Sequence, residues 1–248
     1  MKREFYVGYL PLPARMKRGL LILVPMLLIA VVVVGAVLPT KQNDPGTGAW
    51  DLDGVTEYTG IVRTEPYPAV LVPADSGGYD TVLLASQIKT GVQERAADFE
   101  GAWVTVRGNL AERDGRRLLT LLDGDTAVQP VEAAGSFAPA EPESQGRFQL
   151  TGQIIDPKCY LGAMKPGEGK IHKACATLCI KGGIPPMFMT ENRGGERALY
   201  LLTDASGDAV FNPIEQYIAD PITAEGEIET HGDLSWFKID PLTIQRLR

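Results

Sequence analysis

Four residues whose side chains can bind soft metals or perform thiol chemistry lie within one stretch of 21 residues. They are Cys159, His172, Cys175 and Cys179, and they include all three cysteines and one of the two histidines of this 248-residue chain. His172, Cys175 and Cys179 have the spacing i, i+3, i+7, which places them on one face of a helix. Cys159 precedes a loop with glycine and proline that can return it to that face. The spacing therefore predicts one convergent site.

A metal site is the interpretation that this residue set favours. Three thiolates and one imidazole suit a tetrahedral zinc ion, or iron in an iron–sulfur cluster. The spacing C-x12-H-x2-C-x3-C matches neither standard zinc fingers nor ferredoxins, and it lacks the C-x-x-C-H of covalent haem. Copper(I), with Met164, Met187 or Met189 as further ligands, fits less well because such methionines more often fill a core. The predicted cofactor is a metal ion or iron–sulfur cluster, with zinc or iron favoured over copper.

A short helix and the end of a strand must position these ligands. Residues 170–181 are predicted to be helical, and Gly182-Gly183 followed by Pro185-Pro186 is expected to end the helix. Cys159 is expected at the end of the preceding strand. A second stripe on the helix, formed by Ile171, Ala174 and Leu178, is expected to pack on the neighbouring barrel.

The N-terminal region predicts a membrane anchor. Residues 19–38 are 20 residues without a charge, long enough as a helix to span a bilayer core. Five basic residues and one acidic residue precede this span, so the positive-inside rule places residues 1–18 in the cytoplasm and the rest outside. A cleaved signal peptide is the alternative, but the run is long and Val37-Leu38-Pro39 is a poor cleavage site. We expect a single-pass protein of the bacterial inner membrane, with its C-terminal domains in the periplasm or outside.

The charge of the exported part limits its partners. Residues 41–248 contain 19 basic and 30 acidic residues, a net charge of about −11. This balance argues against nucleic acid and against a basic patch for anionic lipid, and it is compatible with a basic protein partner.

Two further interpretations of the cysteines remain open. In an oxidising compartment Cys159 can form a structural disulfide with Cys175 or Cys179, or those two can pair with each other, and the protein is then a non-metal interaction scaffold. One cysteine is then left over, which exported proteins usually avoid. Alternatively, His172 lies one turn from Cys175 and can activate it as a reactive or exchanging thiol.

Two β-rich blocks of similar pattern follow the anchor. Residues 59–62 match residues 151–154 at an offset of 92, and residues 104–121 match residues 222–239 at an offset of 118. The difference indicates about 26 extra residues in the second block, where residues 163–186 form the predicted insertion. We therefore expect a duplicated domain whose second copy carries the cysteine segment.

Each block is predicted to contain three strands, a short helix and two more strands, the order of an OB-fold barrel. The predicted strands are 56–64, 68–74, 80–86, 102–112 and 116–122 in the first copy, and 147–156, 187–192, 197–204, 222–230 and 234–240 in the second, with helices at 91–99 and 212–219. The predicted fold class is mainly β, with an N-terminal transmembrane helix followed by two OB-like barrels. The domain boundaries are 39–53 for a linker, 54–130 for the first barrel, 131–145 for a second linker and 146–248 for the second barrel.

The segment from Asp156 to Pro186, DPKCYLGAMKPGEGKIHKACATLCIKGGIPP, resembles a motif of uncharacterised exported or membrane-anchored bacterial proteins. The N-terminal EFYVGYLPLP at 4–13 is similar to the same group. The resemblance implies an exported location and a redox setting beside integral membrane or periplasmic redox proteins, and it implies no particular reaction.

Other chemistry has little support in the sequence. His231 is expected to be an exposed turn residue, and no Ser/His/Asp set or phosphate-binding glycine loop is evident. The sequence therefore favours a non-catalytic protein over an enzyme. Its predicted role is that of a metal- or cluster-binding accessory or electron-transfer subunit of a membrane redox complex.

Overall fold

A computed structural model describes Gly8 and residues 11–41, 46–74, 77–133 and 141–247. The chain forms two units, Met1–Pro45 and Gly46–Arg248. In the first unit, helix α1 (Ala14–Lys41) is long and apolar enough to cross a membrane, and none of its residues is buried. It is thus a candidate membrane anchor, although a signal sequence at this position would have the same character. Most of the N-terminal segment 4–13 lies outside the described residues.

The second unit begins with a closed barrel. Its strands are β1 (Ala49–Trp50), β2 (Thr56–Arg63), β3 (Ala69–Pro73), β4 (Tyr79–Ser86), β5 (Trp103–Arg113), β6 (Arg116–Leu121) and β7 (Val128–Pro130). Strand β5 pairs with both β2 and β6, which closes the sheet in the order β5-β2-β3-β4-β6. Helix α2 (Gln93–Ala96) and a 3-10 turn (Ala97–Phe99) lie between β4 and β5, where a helix is predicted.

A second closed barrel follows. Its strands are β8 (Glu143–Ile155), β9 (Met187–Glu191), β10 (Arg197–Thr203), β11 (Ile222–His231), β12 (Leu234–Ile239) and β13 (Gln245–Arg246). Strand β11 pairs with both β8 and β12, closing the order β12-β10-β9-β8-β11. Five strands close each barrel, β2–β6 in the first and β8–β12 in the second. The third and fifth of these pair in parallel, β4 with β6 and β10 with β12. Both barrels are OB-like, and the predicted fold class is confirmed.

The matched sequence positions occupy equivalent places in the two barrels. Gly60 and Gly152 lie 92 residues apart, and a Cβ at either would overlap a backbone carbonyl of the adjacent strand. Gly108 and Gly226 lie 118 residues apart and meet the same obstacle, together with the side chain of Leu119 or Phe237 respectively. These glycines therefore allow strands to approach closely at corresponding bends of both barrels.

Several elements differ from the sequence-based expectation. Strand β1 lies within the stretch predicted as a linker, and it exists because Ala49 and Trp50 pair with β5. Only a 3-10 turn, Glu215–Tyr217, forms within the predicted helix 212–219. Ile214 and Ile218, on either side of this turn, are both buried in the core of the second barrel, and this packing replaces a regular helix. Residues 134–140 of the predicted second linker lie outside the described residues, and β8 begins inside that linker.

The two barrels share an apolar interface within this unit. Each barrel has its own buried cluster, and a third cluster contains residues of both barrels. Cys159 and Cys179 belong to this shared cluster, beside Ala85 and Leu118 of the first barrel. Tyr67 adds a buried polar link, since its hydroxyl donates to the carbonyl of Leu202 at 3.0 Å. The cysteine segment therefore lies where the barrels meet.

Candidate metal centre

Cys159 lies in a tight helical turn just after β8. The strand ends at Ile155, and Cys159 begins a π-helical turn, Cys159–Ala163, so it lies four residues beyond the end of the strand and not at that end as predicted. Asp156 caps the start of this turn, because its Oδ1 accepts the backbone N–H of Lys158 at 2.9 Å. The turn buries Cys159, which is 3% exposed.

The helix predicted at 170–181 forms in two parts. A 3-10 turn, Lys170–His172, continues into helix α3, Lys173–Lys181. His172 and Cys179 are buried, whereas Cys175 is partly exposed. The expected packing of Ile171, Ala174 and Leu178 on the barrel is wrong, since these side chains are exposed. The helix instead packs on the barrel through its Ala176 and Ile180 face.

The sulfur atoms converge as the spacing predicts. The Sγ atoms of Cys159 and Cys175 lie 3.9 Å apart, and all three cysteines, each in the described part of the chain, are free thiols. Ligand atoms of Cys159, His172 and Cys175 lie within 4.8 Å of one another. Those of Asp156, Cys159 and Cys179 form a second such triad. Cys159 is the member common to both, so the centre is built around its sulfur.

Two buried polar atoms at this centre have no hydrogen-bond partner among the described residues. They are Nε2 of His172 and Oδ2 of Asp156. A buried nitrogen or oxygen without a partner costs roughly 1–3 kcal/mol, so native structures rarely keep one without a reason. Both atoms can donate a lone pair to a metal ion. Asp156 is a possible ligand that the sequence analysis missed; its position three residues before Cys159 was the only signal.

The first barrel contributes a cation to the cluster. Lys89 Nζ donates to Cys175 Sγ at 2.6 Å and lies 3.9 Å from Cys179 Sγ. This hydrogen bond raises the pKa of Lys89, and the charges of the neighbouring cysteines add to the effect. Lys89 lies 86 residues from Cys175 in a different domain, so no local sequence signal points to it.

Contacts between the barrels hold Lys89 in place. The ammonium of Lys158 donates to the backbone carbonyls of Ser86, Gln87 and Ile88, the loop that leads to Lys89. On the other side of Lys89, the N–H of Gly91 donates to the carbonyl of Gly182 at 2.8 Å. The loop is therefore fastened to both ends of the cysteine segment.

The environment favours a neutral imidazole and a protonated central thiol before metal binds. A hydrogen bond with Cys179, burial, and the nearby carboxylate of Asp156 raise the pKa of Cys159. Burial lowers the pKa of His172, and the charge of Lys89 acts in the same direction. His172 is thus neutral near pH 7 and able to coordinate, whereas metal binding to Cys159 must release a proton.

The remaining candidate side chains divide between the centre and the core. Met164 Sδ lies 3.8 Å from Cys175 Sγ, whereas Met187 and Met189 are buried in the interface cluster. His231 is not an exposed turn residue as expected, because it ends β11 and stacks on Trp236 with ring centroids 3.7 Å apart. Searches with protein-family models, curated protein sequences and solved structures gave no match to this chain.

Proposed function

We propose that this protein is a membrane-anchored metal-binding protein whose centre uses Cys159, Cys175 and Cys179 as thiolate ligands and His172 as the nitrogen ligand. The observation that carries the proposal is a pair of ligand triads that share Cys159, one of which contains a buried imidazole with an unpartnered nitrogen among the described residues. Soft sulfur and borderline nitrogen ligands are the set that zinc and ferrous iron take in tetrahedral protein sites. Asp156 is a further oxygen donor at the same centre.

The sulfur spacing supports two cysteines on one metal ion. With a metal–sulfur bond of about 2.3 Å, two ligands of a tetrahedral ion lie about 3.8 Å apart. The distance between Sγ of Cys159 and Sγ of Cys175 is 3.9 Å, close to that edge length. In a four-iron iron–sulfur cluster each cysteine binds a different iron, which separates their sulfurs further. We therefore favour one zinc or iron ion over a four-iron cluster.

The charge of the site also supports a divalent ion. Three thiolates, a neutral imidazole and a divalent metal together carry a charge of −1. Lys89, 2.6 Å from Cys175 Sγ, offsets that charge, and the carboxylate of Asp156 adds to the negative side of the balance. A cation beside a partly buried centre brings its total charge closer to zero and so lowers its desolvation cost. Because Lys89 belongs to the first barrel, the proposal gives that barrel a role at the metal site.

The finer proposal concerns location and role. We propose that α1 anchors the chain in a bacterial inner membrane with both barrels in the periplasm, following the positive charges that precede the helix. In that setting the bound metal makes the protein an accessory or electron-transfer subunit of a membrane redox complex. Its partners are integral membrane or periplasmic redox proteins.

Elemental analysis tests the metal proposal directly. The full chain is purified in detergent without oxygen or chelator, and its metals, visible absorption and free thiols are measured on one sample. We expect about one metal ion per chain; visible bands would identify iron and support electron transfer, whereas a colourless zinc site would refute the electron-transfer role. The variant Cys175→Ser should lose the metal, and full retention would refute the ligand assignment. His172→Ala removes the nitrogen ligand and should likewise lower the metal content. Its matched control is His231→Ala, because His231 lies outside the centre.

A second candidate is a thiol–disulfide exchanger. It is supported by the pairing of a partly exposed Cys175 with a buried Cys159 only 3.9 Å away. An accessible attacking thiol beside a protected resolving thiol is the arrangement that exchange requires. A metal-free protein whose Cys175 thiol reacts fast with alkylating reagents near neutral pH would favour this candidate and reject the metal site, whereas no metal and one free thiol would indicate a structural disulfide.

A further inference from the structure

The exposed face of the cysteine helix is apolar and runs through Cys175. Ile171, Cys175 and Leu178 have the spacing i, i+4, i+7, so they form one stripe on this helix. Ile171 is 85% exposed and Leu178 is 56% exposed. Large aliphatic side chains on both sides of a thiol are costly to leave in water, at roughly 1.5–3 kcal/mol for each one fully exposed.

Two further apolar side chains extend this face. Met164 is 47% exposed, and its sulfur lies 3.8 Å from Cys175 Sγ. Ile88 is 69% exposed and directly precedes Lys89, whose ammonium contacts the same sulfur. Met164 therefore lies beside Cys175, Ile171 and Leu178 lie along the same stripe, and Ile88 is next to the lysine partner of Cys175. We call these four side chains the apolar collar.

The collar is flanked by positive charge in an otherwise acidic protein. Between residues 157 and 190 the only acidic residue is Glu168, and Arg197 pairs with it at 3.0 Å. Lys89, Lys165, Lys170 and Lys181 are exposed. Lys89 is paired with the sulfur of Cys175, and the other three form no ion pair with another residue in the described part of the chain. Three uncompensated cations therefore lie in the segment that carries most of the collar, although residues 41–248 carry a net charge of about −11.

We propose that the apolar collar and its lysines are a docking surface for an acidic protein that exchanges the metal ion with this centre through Cys175. The inference rests on the proposed metal function. Interfaces with an apolar centre and a charged rim gain affinity from the centre, and association rate and orientation from the rim. The partner's complementary face is acidic around an apolar spot and carries its own soft ligand. Such a ligand replaces Cys175, the most exposed of the three thiols, on the metal: the bond from the metal to Cys175 Sγ breaks as the new bond forms, and the released thiolate stays paired with Lys89 or takes up a proton.

A protein fits this surface better than a lipid bilayer does. An anionic membrane attracts the four lysines but repels the rest of the domain, which is strongly acidic. A protein partner meets only the collar. In addition, the collar lies beside the one partly exposed thiol, and contact with lipid gives that thiol no chemical partner.

Photo-crosslinking in cells that produce the full chain tests the proposal. A benzophenone side chain replaces Ile171 or Leu178, and Leu242, which is 96% exposed and lies outside the collar, provides the control position. We expect one discrete protein adduct from each collar position and none from the control, with a captured protein that is acidic. The double variant Lys170→Glu, Lys181→Glu should lower the adduct yield about tenfold, because it reverses two rim charges.

Metal content measured on the same samples separates the two proposals. The charge-reversed variant should keep its metal, since neither lysine contacts a ligand atom. Equal adducts from Leu242, a yield insensitive to charge reversal, or adducts made only with phospholipid would each overturn the docking surface and leave the metal site intact. A wild-type chain without metal would instead overturn the proposed function on which the docking inference rests.

Discussion

Removing Cys159 should weaken metal binding more than removing Cys179. Cys159 belongs to both ligand triads, so Cys159→Ala leaves only the pairs His172 with Cys175 and Asp156 with Cys179. Cys179→Ala leaves the triad of Cys159, His172 and Cys175 intact. The two substitutions remove the same atom from the same type of residue, and both sulfurs are buried. Any difference between them therefore reflects the position of the sulfur in the centre.

The magnitude follows from the ligand count. Structural zinc sites with four ligands have apparent binding free energies of about 10–16 kcal/mol, or roughly 3–4 kcal/mol per ligand. At about 1.4 kcal/mol for each tenfold change, one ligand corresponds to ~10²–10³ in affinity. We expect a loss of about 10³-fold for Cys159→Ala and about 10²-fold for Cys179→Ala.

The assay is a competition for zinc between the full chain in detergent and a chromophoric chelator, under reducing conditions. Cys159→Ser accompanies Cys159→Ala, because it preserves side-chain volume and separates lost coordination from a cavity in the interface cluster. Circular dichroism of the metal-free variants checks that they fold. Equal losses for the two alanine variants, or wild-type affinity in Cys159→Ala, would refute the central position of Cys159.

Three further perturbations test the surroundings of the centre. Lys89→Met should weaken zinc binding by about fivefold, because it removes the charge that offsets the thiolates. Gly182→Ala should lower the free energy of unfolding by about 2–3 kcal/mol in urea titrations, since its Cβ would overlap the backbone carbonyl of Lys89. Asp220→Asn should cost about 1–2 kcal/mol at pH 7, because Asp220 accepts from Lys173 at 2.8 Å and from Arg246 at 2.9 Å.

Each of these has a matched control. Lys181→Met removes an exposed lysine of α3 with no contact to a thiol, and an equal loss of affinity there would contradict the role of Lys89. Gly194→Ala should be nearly neutral, since its Cβ meets only the Asn192 side chain at 3.2 Å. If Gly194→Ala lost as much stability as Gly182→Ala, overlap with the Lys89 carbonyl would not explain the loss at Gly182.

The control for Asp220→Asn is the pH dependence of its stability loss relative to wild type. Burial raises the pKa of Asp220, but the hydrogen bonds and charges of Lys173 and Arg246 outweigh it and lower the pKa below 3.8. Its contribution is therefore complete above about pH 4 and is lost as the pH falls through the lower folded pKa. The difference between wild type and Asp220→Asn should shrink below that pH. A difference that stayed constant down to pH 2 would show that charge is not the cause.

The sequence predicted the barrels because their signals are local or repeated. Short alternating strands with turn residues between them mark each strand, and the two offsets align glycines that occupy the same bends. The length of the inserted segment followed from those offsets. The 3-10 turn at Glu215–Tyr217 and strand β1 were not predicted, because tertiary contacts rather than local pattern determine them.

The centre was predictable only as far as its own segment extends. Helical spacing put His172, Cys175 and Cys179 on one side of the segment, and the turn that holds Cys159 brought its sulfur to His172 and Cys175 in one triad and to Cys179 in the other. The exposed orientation of Ile171 and Leu178 could not be read from the sequence, since periodicity identifies a stripe but not the surface that it faces. Lys89 comes from another domain, so its position depends on how the barrels pack.

The junction between the barrels also implies an order of events during export. In the proposed orientation, the barrel next to the anchor crosses the membrane first and the cysteine segment follows it. A thiol emerging alone has neither Lys89 nor the interface around it, so it holds a metal ion only weakly. Under the proposed metal function, binding strengthens when the two barrels pack and Lys158 fastens the loop that carries Lys89 beside Cys175. Metal content would then report correct assembly of the two barrels.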